Sequence, residues 1–187
     1  MWRCVLVFSL LGASVAQGQE RSHAAPPEAP WQLRIAARDE PGSALRIAGV
    51  VVDAAGTPIR NASLYVYQTD TRGYYTPEDA RANQRARIHG YLRTDRRGQF
   101  EIATVRPGTY PATKIPQHVH FVVNAPGFAE RVFEIVFDDD ANVDARVRSQ
   151  AAQPNSMYSI CKPAREGEGQ HCSERIVLKA EATEARP

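Results

Sequence analysis

Short apolar runs separated by turn residues dominate the chain from residue 45 onward. The runs are rich in Val, Ile, Phe and Tyr, which favour strands, and Gly, Pro, Asn and Asp stand between them. No window of helical length in this region keeps a 3.6-residue apolar period, and residues 77–88 are the one candidate for a short helix or ordered loop. This pattern predicts an all-β fold, a β-sandwich of mostly antiparallel strands. The predicted strands lie within 45–54, 62–70, 91–95, 99–105, 118–125, 131–140 and 176–180.

The two ends of the chain differ from this region. Residues 1–18 combine Arg3 with an apolar run over 4–15 and small residues after it, which predicts a secretory signal peptide. Residues 19–43 are rich in Pro, Ala, Glu and Arg and predict an extended, proline-rich arm. With 187 residues, the chain has room for one folded domain, expected at 44–182. We therefore expect a secreted protein, periplasmic or extracellular, that is free of the membrane once the signal is cleaved.

The charge pattern gives no sign of a nucleic-acid partner. The formal net charge is +2, and acidic and basic residues are interleaved along the chain. A nucleic-acid interface would require a basic stripe or patch, and the sequence has none.

Two cysteines remain after removal of the predicted signal peptide, Cys161 and Cys172. An even count in an oxidising compartment favours one disulfide that closes a short loop. The alternative is a metal pair with His171 nearby, but the spacing of the two cysteines matches no common zinc site. We therefore predict a disulfide between Cys161 and Cys172.

The pair His118 and His120 is the sharpest local feature of the sequence. On a strand, residues i and i+2 face the same side, so both imidazoles can reach one ion. Two histidines on a solvated strand face would give the same sequence, so the pair alone decides nothing. Upstream, Tyr110 lies in the segment RPGTYP and Tyr75 ends the segment YQTDTRGYY.

The order of these segments resembles the intradiol ring-cleavage dioxygenases, the family of protocatechuate 3,4-dioxygenase and catechol 1,2-dioxygenase, in a secreted single-domain form. The matching pattern is D-x-x-G-x-P, Q-x-D-x-x-G-x-Y, T-D-x-x-G, P-G-x-Y-P and H-x-H-F. It runs from Gly49 to Phe137, about half of the chain. The combination is specific, whereas each part alone is not.

The resemblance implies a non-haem iron(III) site. Its four ligands would be Tyr75, Tyr110, His118 and His120. Tyr75, rather than the adjacent Tyr74, keeps the family spacing from Gly73. The resemblance also implies that Tyr110 leaves the metal when a catechol binds and takes up a proton, which makes it the catalytic residue.

The reaction implied by the resemblance is the cleavage of a catechol-type aromatic by O2 between its two hydroxyl-bearing carbons. The product would be of the cis,cis-muconate type. Fe(III) would be the cofactor, with no organic cofactor needed, and hard phenolate oxygens suit this ion. The expected partners are the catechol and O2, and assembly into a homo-oligomer is left open.

Two positions depart from the family pattern. Ile115 stands three residues before His118, where the family commonly has an arginine. Counting from His120 places Ile135, beside Glu134, where the family has a glutamine. We therefore predict that both groups beside the metal ligands are apolar. The residues that could supply the missing positive charge are Arg87, Arg93 and Lys114.

Two other functions remain open. One is a relative that binds iron or catechol without cleaving the ring, and the departures at Ile115 and Ile135 keep it open. The other is a non-catalytic β-sandwich module resembling transthyretin-like domains, which would need no Tyr/His quartet. Among the remaining aromatic side chains, we expect Tyr65, Tyr67 and Tyr91 to pack within the sheet and Tyr158 to pack under the disulfide loop. His89 is either a weak candidate for contact with the metal ligands or a surface histidine, and His23 and His171 are expected to be solvated.

Overall fold

The computed structural model describes residues 23–181, which fold into two stacked β-sheets. Within them, the strands are β1 (Gln32–Arg34), β2 (Ala44–Val52), β3 (Ser63–Gln68), β4 (Ile88–Arg93), β5 (Gln99–Val105), β6 (His118–Ala125), β7 (Phe128–Phe137), β8 (Tyr158–Cys161), β9 (Ala164–Glu166) and β10 (Gly169–Val177). The first sheet has the order β1-β5-β2-β10-β9 and the second β4-β3-β6-β7-β8. Three pairings are parallel, β1 with β5, β2 with β10 and β7 with β8, and the others are antiparallel. The predicted all-β sandwich is confirmed.

The apolar core lies between the two sheets. The ring of Phe121 in β6 stacks on Phe133 of β7, with centroids 5.3 Å apart, and meets Phe100 of β5 at 5.9 Å. Full burial of a side chain of this size contributes about 1.5–3 kcal/mol. Because side chains alternate along β6, Phe121 points into this core, whereas His118 and His120 point to the opposite face of the sheet.

Some short elements were not predicted from the sequence. The helix α1 (Ala145–Ala151) buries a single side chain, Val147, so no apolar stripe marks it. Asp144 begins this helix by accepting a hydrogen bond from the Val147 N–H. Residues 77–88, the predicted helix or ordered loop, contain one 3-10 turn at Asn83–Arg85 within a loop of turns, and β4 begins at Ile88.

The described part of the predicted arm is in contact with the sandwich. Its strand β1 pairs in parallel with β5, with Leu33 opposite Ile102. The N–H of Ala25 donates to Ser63 Oγ at 2.7 Å. His23, expected to be solvated, is exposed but stacks on the ring of Tyr65, with centroids 5.0 Å apart.

Cys161 and Cys172 form the predicted disulfide, with Cα atoms 5.8 Å apart, and this prediction is confirmed. Cys161 ends β8 in the second sheet, and Cys172 lies in β10 of the first. The bond therefore joins the two sheets covalently. In the chain-entropy model, closing a loop of this length stabilises the fold by about 3 kcal/mol.

Residues 1–18, the predicted signal peptide, lie outside the described part of the chain. Across residues 23–181, no helix has the length and apolar character needed to cross a bilayer.

Arg106 connects the loop after β5 to three other segments. Its guanidinium donates to Gln117, at 2.8 Å, and to Gln170 of β10, at 2.9 Å. It also pairs with Asp139 at 2.6 Å, which holds the pKa of that carboxyl below its usual range. The same group lies 3.9 Å from the ring centroid of Phe137. Because Gln117 directly precedes β6, these contacts fix the point where that strand begins.

Replacing Arg106 should therefore destabilise the protein more than the loss of one surface ion pair. We expect Arg106→Ala to lower the free energy of unfolding by about 1–3 kcal/mol, measured by urea denaturation, because it removes several charge-assisted hydrogen bonds and the ring contact. Arg148→Ala is the matched control, since Arg148 pairs with the neighbouring Asp138 but is exposed. Its loss should cost less than about 1 kcal/mol. Equal losses in the two variants would contradict this role of Arg106.

Candidate metal centre

The outer face of the second sheet carries His118 and His120 side by side on β6. Both side chains are buried, and their ring centroids lie 4.5 Å apart with the ring planes perpendicular. β6 is flanked by β3 and β7 within the sheet, and loops cover the face that carries the two histidines. The strand therefore brings two imidazoles to one point, as the sequence predicted.

A tight turn after β3 brings Tyr75 over this point. The buried carboxylate of Asp70 accepts hydrogen bonds from the N–H groups of Arg72, at 2.9 Å, and Tyr74, at 3.0 Å. Gly73 adopts a φ of 86°, which suits glycine. The turn folds the chain back so that Tyr75 becomes 2% exposed, the largest fully buried side chain of the described residues.

The loop after β5 brings Tyr110 to the same point by direct contact with that turn. The N–H of Gly108 donates to the carbonyl of Asp70 at 2.8 Å, and Thr69 Oγ1 donates to the carbonyl of Gly108 at 3.0 Å. A Cβ atom added at Gly108 would overlap the carbonyl of Thr71, and one added at Gly73 would overlap the carbonyl of Thr109. The two loops can approach this closely because both positions are glycine.

Four predicted ligand atoms converge between these loops and β6. Tyr75 Oη contacts Tyr110 Oη and lies 2.6 Å from His120 Nε2. Tyr110 Oη lies 3.0 Å from His118 Nε2. The structure thus brings together all four side chains singled out in the sequence. Metal binding by these side chains stays a prediction.

The orientation of each imidazole is set by its other nitrogen. His118 Nδ1 lies 2.6 Å from the carbonyl oxygen of Pro116. A carbonyl can only accept, so Nδ1 carries the proton and Nε2 keeps its lone pair toward the tyrosines. His120 Nδ1 lies 3.3 Å from Glu134 Oε1, and its Nε2 also faces the tyrosines.

Burial favours the uncharged forms of Tyr75, Tyr110 and His120. It raises the pKa of the Tyr75 and Tyr110 phenols above the ordinary value of 10. It lowers the pKa of His120 to about 3, so this imidazole is neutral across the physiological range. Neutral imidazoles are ready ligands, and phenols in such a place can ionise only beside a strong positive charge.

The side chains of Tyr74 and of the three candidate cations have other contacts or are exposed. Tyr74 packs beneath the guanidinium of Arg72, 5.4 Å from its ring centroid. Arg87 is committed to Glu40 and Asp70 through ion pairs. The remaining two are Arg93, which donates to the carbonyls of Ala25, Pro26 and Asn61, and Lys114, which is exposed.

The two positions that depart from the family pattern have different surroundings. Ile115 lies in the loop before β6 and is 40% exposed. Ile135 is fully buried in the core between the sheets. On β7 the residue that faces the site is Glu134, so the prediction that both groups beside the ligands are apolar is wrong for this position. Counting from His120 without a gap gave a position one residue too far. On a strand, a shift of one residue places the side chain on the opposite face of the sheet.

Two neighbours of His120 were not identified from the sequence. One is Glu134. The other is Tyr67, expected only to pack within the sheet, whose ring stacks on His120 with centroids 4.3 Å apart and planes 9° apart. For Glu134, the available signal was a glutamate within an otherwise apolar strand. Its position opposite His120 depends on the register between β6 and β7, which the sequence alone does not give. The Nδ1 atom of His89 instead lies 2.7 Å from the carbonyl oxygen of Ala86.

A second grouping of metal-type ligands includes Glu134. Of the histidine, cysteine and acidic side chains described, His118, His120 and Glu134 have ligand atoms within 4.8 Å of one another. Glu134 faces Nδ1 of His120, whereas the tyrosine oxygens face Nε2 of both histidines. One ion cannot be bound on both sides of the same ring, so the Tyr/His quartet and this trio are alternatives.

Comparison with known proteins places these features in context. The family model described as Dioxygenase matches residues 20–173. The chain is 27% identical over 114 residues to catechol 1,2-dioxygenase of Acinetobacter baylyi, covering 52% of this chain and 37% of that protein. It is 25% identical over 143 residues to chlorocatechol 1,2-dioxygenase of Rhodococcus opacus, covering 65% and 56%. The chain thus spans about half of the length of these relatives or less.

Solved structures with the same fold carry similar names. The dioxygenase domain of a dioxygenase carbohydrate-binding protein fusion from Streptomyces sp. SirexAA-E has a TM-score of 0.65 and 22% identity, with 87% of this chain and 96% of that chain covered. The 3-chlorocatechol 1,2-dioxygenase from Rhodococcus opacus 1CP also has a TM-score of 0.65 and 22% identity, with 83% and 68% covered. At this level of identity, the likeness establishes the fold.

The contact between the two tyrosine loops gives a direct test of how the site is built. We expect Gly108→Ala to lower the free energy of unfolding by about 1–3 kcal/mol and also to weaken iron binding, because the added methyl group pushes the loops apart. Affinity can be measured by competition with a chelator. Gly127→Ala is the control, since Gly127 has a φ of 80° and open space around it. That variant should lose stability and keep its iron affinity; an unchanged affinity in Gly108→Ala would disprove the role of the loop contact.

Proposed function

The chain belongs to the intradiol ring-cleavage dioxygenase family, and from this premise we propose that it cleaves catechols with O2 at a non-haem iron(III) centre. The proposal is carried by the convergence of two phenol oxygens and two imidazole nitrogens at one buried point. The chain spans only part of the length of its curated relatives, so membership of the family does not by itself establish that it catalyses their reaction. It is inferred from the chemistry of the site.

The donor set suits iron(III). The side chains that would hold the ion are Tyr75, Tyr110, His118 and His120. Two phenolates would offset much of a triple positive charge, and the imidazoles add no charge of their own. When bound, iron(III) supplies Lewis acidity and an acceptor for electron density from the catecholate.

The two tyrosines have different surroundings, which supports different roles. Tyr75 is fully buried, whereas Tyr110 is partly exposed on its loop. Tyr110 is therefore the one that an incoming catechol can replace. Burial raises the pKa of Tyr110, so its Oη favours the protonated state once it is away from a cation. We assign Tyr110 as the group that takes up one of the two protons that the catechol gives up.

The overall change balances without a further reactant. The bond between the two hydroxyl-bearing carbons breaks, and both atoms of O2 enter the product. The ring loses four electrons and O2 gains four, so no external reductant is needed. The result is a dicarboxylate of the cis,cis-muconate type. The role of the chain is to hold the substrate oxygens near His118 and His120, to exclude water and to accept a proton at Tyr110.

A second candidate is a relative that binds iron and catechol without cleaving the ring. The observation in its favour is Ile115, which replaces the arginine commonly found in the family and leaves an exposed apolar side chain in the loop before β6. A group that stabilises developing charge can contribute about 3 kcal/mol to catalysis. The second candidate therefore shares the metal centre and differs in turnover.

The choice of Tyr75 over Tyr74 can be tested by spectroscopy. We expect Tyr75→Phe to weaken iron binding and to shift or remove the tyrosinate-to-iron absorption in the visible range, because it deletes one of two phenolates. Tyr74→Phe is the matched control and should keep both the colour and the affinity, since Tyr74 packs against Arg72. If Tyr74→Phe bleaches the protein and Tyr75→Phe does not, the assignment fails.

The reaction itself is tested by adding catechol to the iron-loaded protein with and without oxygen. We expect the visible band to shift in both cases and a muconate to form, one for each O2 consumed, only with oxygen. Ultraviolet absorbance and an oxygen electrode measure the two quantities. A shift without product would favour the second candidate. A protein that takes up no iron would rule out both.

A further inference from the structure

We propose that Glu134 is a positioning residue that fixes the ring of His120 and sets how strongly this imidazole binds the metal. The proposal rests on the proposed metal centre, and it concerns a residue outside the four predicted ligands. It assigns to Glu134 the role of outer partner to a ligand, with no direct bond to the ion.

The pairing of β6 with β7 places Glu134 directly opposite His120. Side chains opposite each other on neighbouring antiparallel strands have Cβ atoms about 4.5–5.5 Å apart, so they meet on the same face of the sheet. Here the contact is between His120 Nδ1 and Glu134 Oε1, at 3.3 Å. The Glu134 side chain is 16% exposed, so few water molecules can compete for it.

The two nitrogens of the His120 ring face different partners. Nε2 lies 2.6 Å from Tyr75 Oη, at the point where the predicted ligand atoms converge. Nδ1 faces the carboxylate on the other side of the ring. An ion bound at Nε2 is therefore out of reach of Glu134 through this nitrogen, and the carboxylate acts through the imidazole.

Two contacts hold this ring from different directions. The carboxylate lies at its Nδ1 edge, and the ring of Tyr67 covers its face, with centroids 4.3 Å apart and planes 9° apart. Together they leave Nε2 as the atom that points to the tyrosines. A proton on Nδ1, the nitrogen that faces Glu134, keeps the lone pair on Nε2.

The two histidines differ in the strength of their acceptors. His118 donates from Nδ1 to a neutral main-chain carbonyl, that of Pro116. His120 instead has the carboxyl group of Glu134 beside Nδ1, at 3.3 Å. A carboxylate partner raises the basicity of an imidazole ligand. We therefore expect Glu134 to make His120 the stronger metal-binding nitrogen of the two.

The test uses iron binding without substrate, so that its outcome is separate from turnover. Iron affinity is measured by chelator competition, together with the reduction potential of the bound iron and its visible spectrum. We expect Glu134→Leu to bind iron about 10–100-fold more weakly, which is the usual loss when such a partner is removed. Glu134→Gln keeps an acceptor for Nδ1–H but no charge, so it should lose less affinity and show a higher reduction potential.

The control is Glu130→Gln, which removes a carboxylate from the exposed part of the same strand. It should change neither affinity nor potential. Native values in both Glu134 variants would overturn the proposal. It would also be overturned if Glu134→Gln lost iron as completely as His120→Ala, since that result would make Glu134 a ligand. Should Glu134→Leu fail to fold, the potential of Glu134→Gln decides alone. A protein that binds iron as expected but cleaves no catechol would contradict the proposed reaction and leave this inference intact.

Discussion

The close contact between two main-chain turns is the constraint on which the rest of the site depends. The sheet by itself aligns only His118 and His120, because they share one strand. The phenols come from separate loops, and they meet because Gly73 and Gly108 let those loops touch main chain to main chain. Hydrogen bonds from Gly108 to Asp70 and from Thr69 to Gly108 then fix the distance. A side chain at either glycine would separate the two phenol oxygens.

The same arrangement explains why the cluster favours a highly charged cation. Burial favours the neutral forms of Tyr75, Tyr110 and His120. At the centre of the cluster the phenol oxygens and the two Nε2 atoms contact one another, and the phenols share a short contact. An ion at the centre would replace these contacts by stronger ones and displace the phenolic protons. Burial, which the sheet and the loops provide together, thus sets how strongly the phenols resist ionisation until a cation is bound.

The sequence predicted the class of fold from its strand and turn pattern, and the four clustered side chains from its resemblance to the intradiol dioxygenases. Strand residues and turn residues alternate visibly, and the ligand motif combines fixed spacings with unusual residue types. The elements that were missed have weak local patterns: α1 buries one side chain, and β1 has three residues. Glu134 was missed for a different reason. Which of two adjacent residues faces the site depends on the register between β6 and β7, and that register is a property of the folded pair.

The position of the last strand has a consequence for how this protein reaches its native state. β10 lies inside the first sheet, between β2 and β9, and Leu45 pairs with Gln170, more than a hundred residues later. During synthesis, β2 emerges long before the neighbour that completes its hydrogen bonds. Contacts between such distant segments slow folding, because the chain must close a long loop before any stabilisation is gained. A partly synthesised chain therefore carries an open sheet edge, and folding of the sandwich is completed only after β10 has emerged from the ribosome.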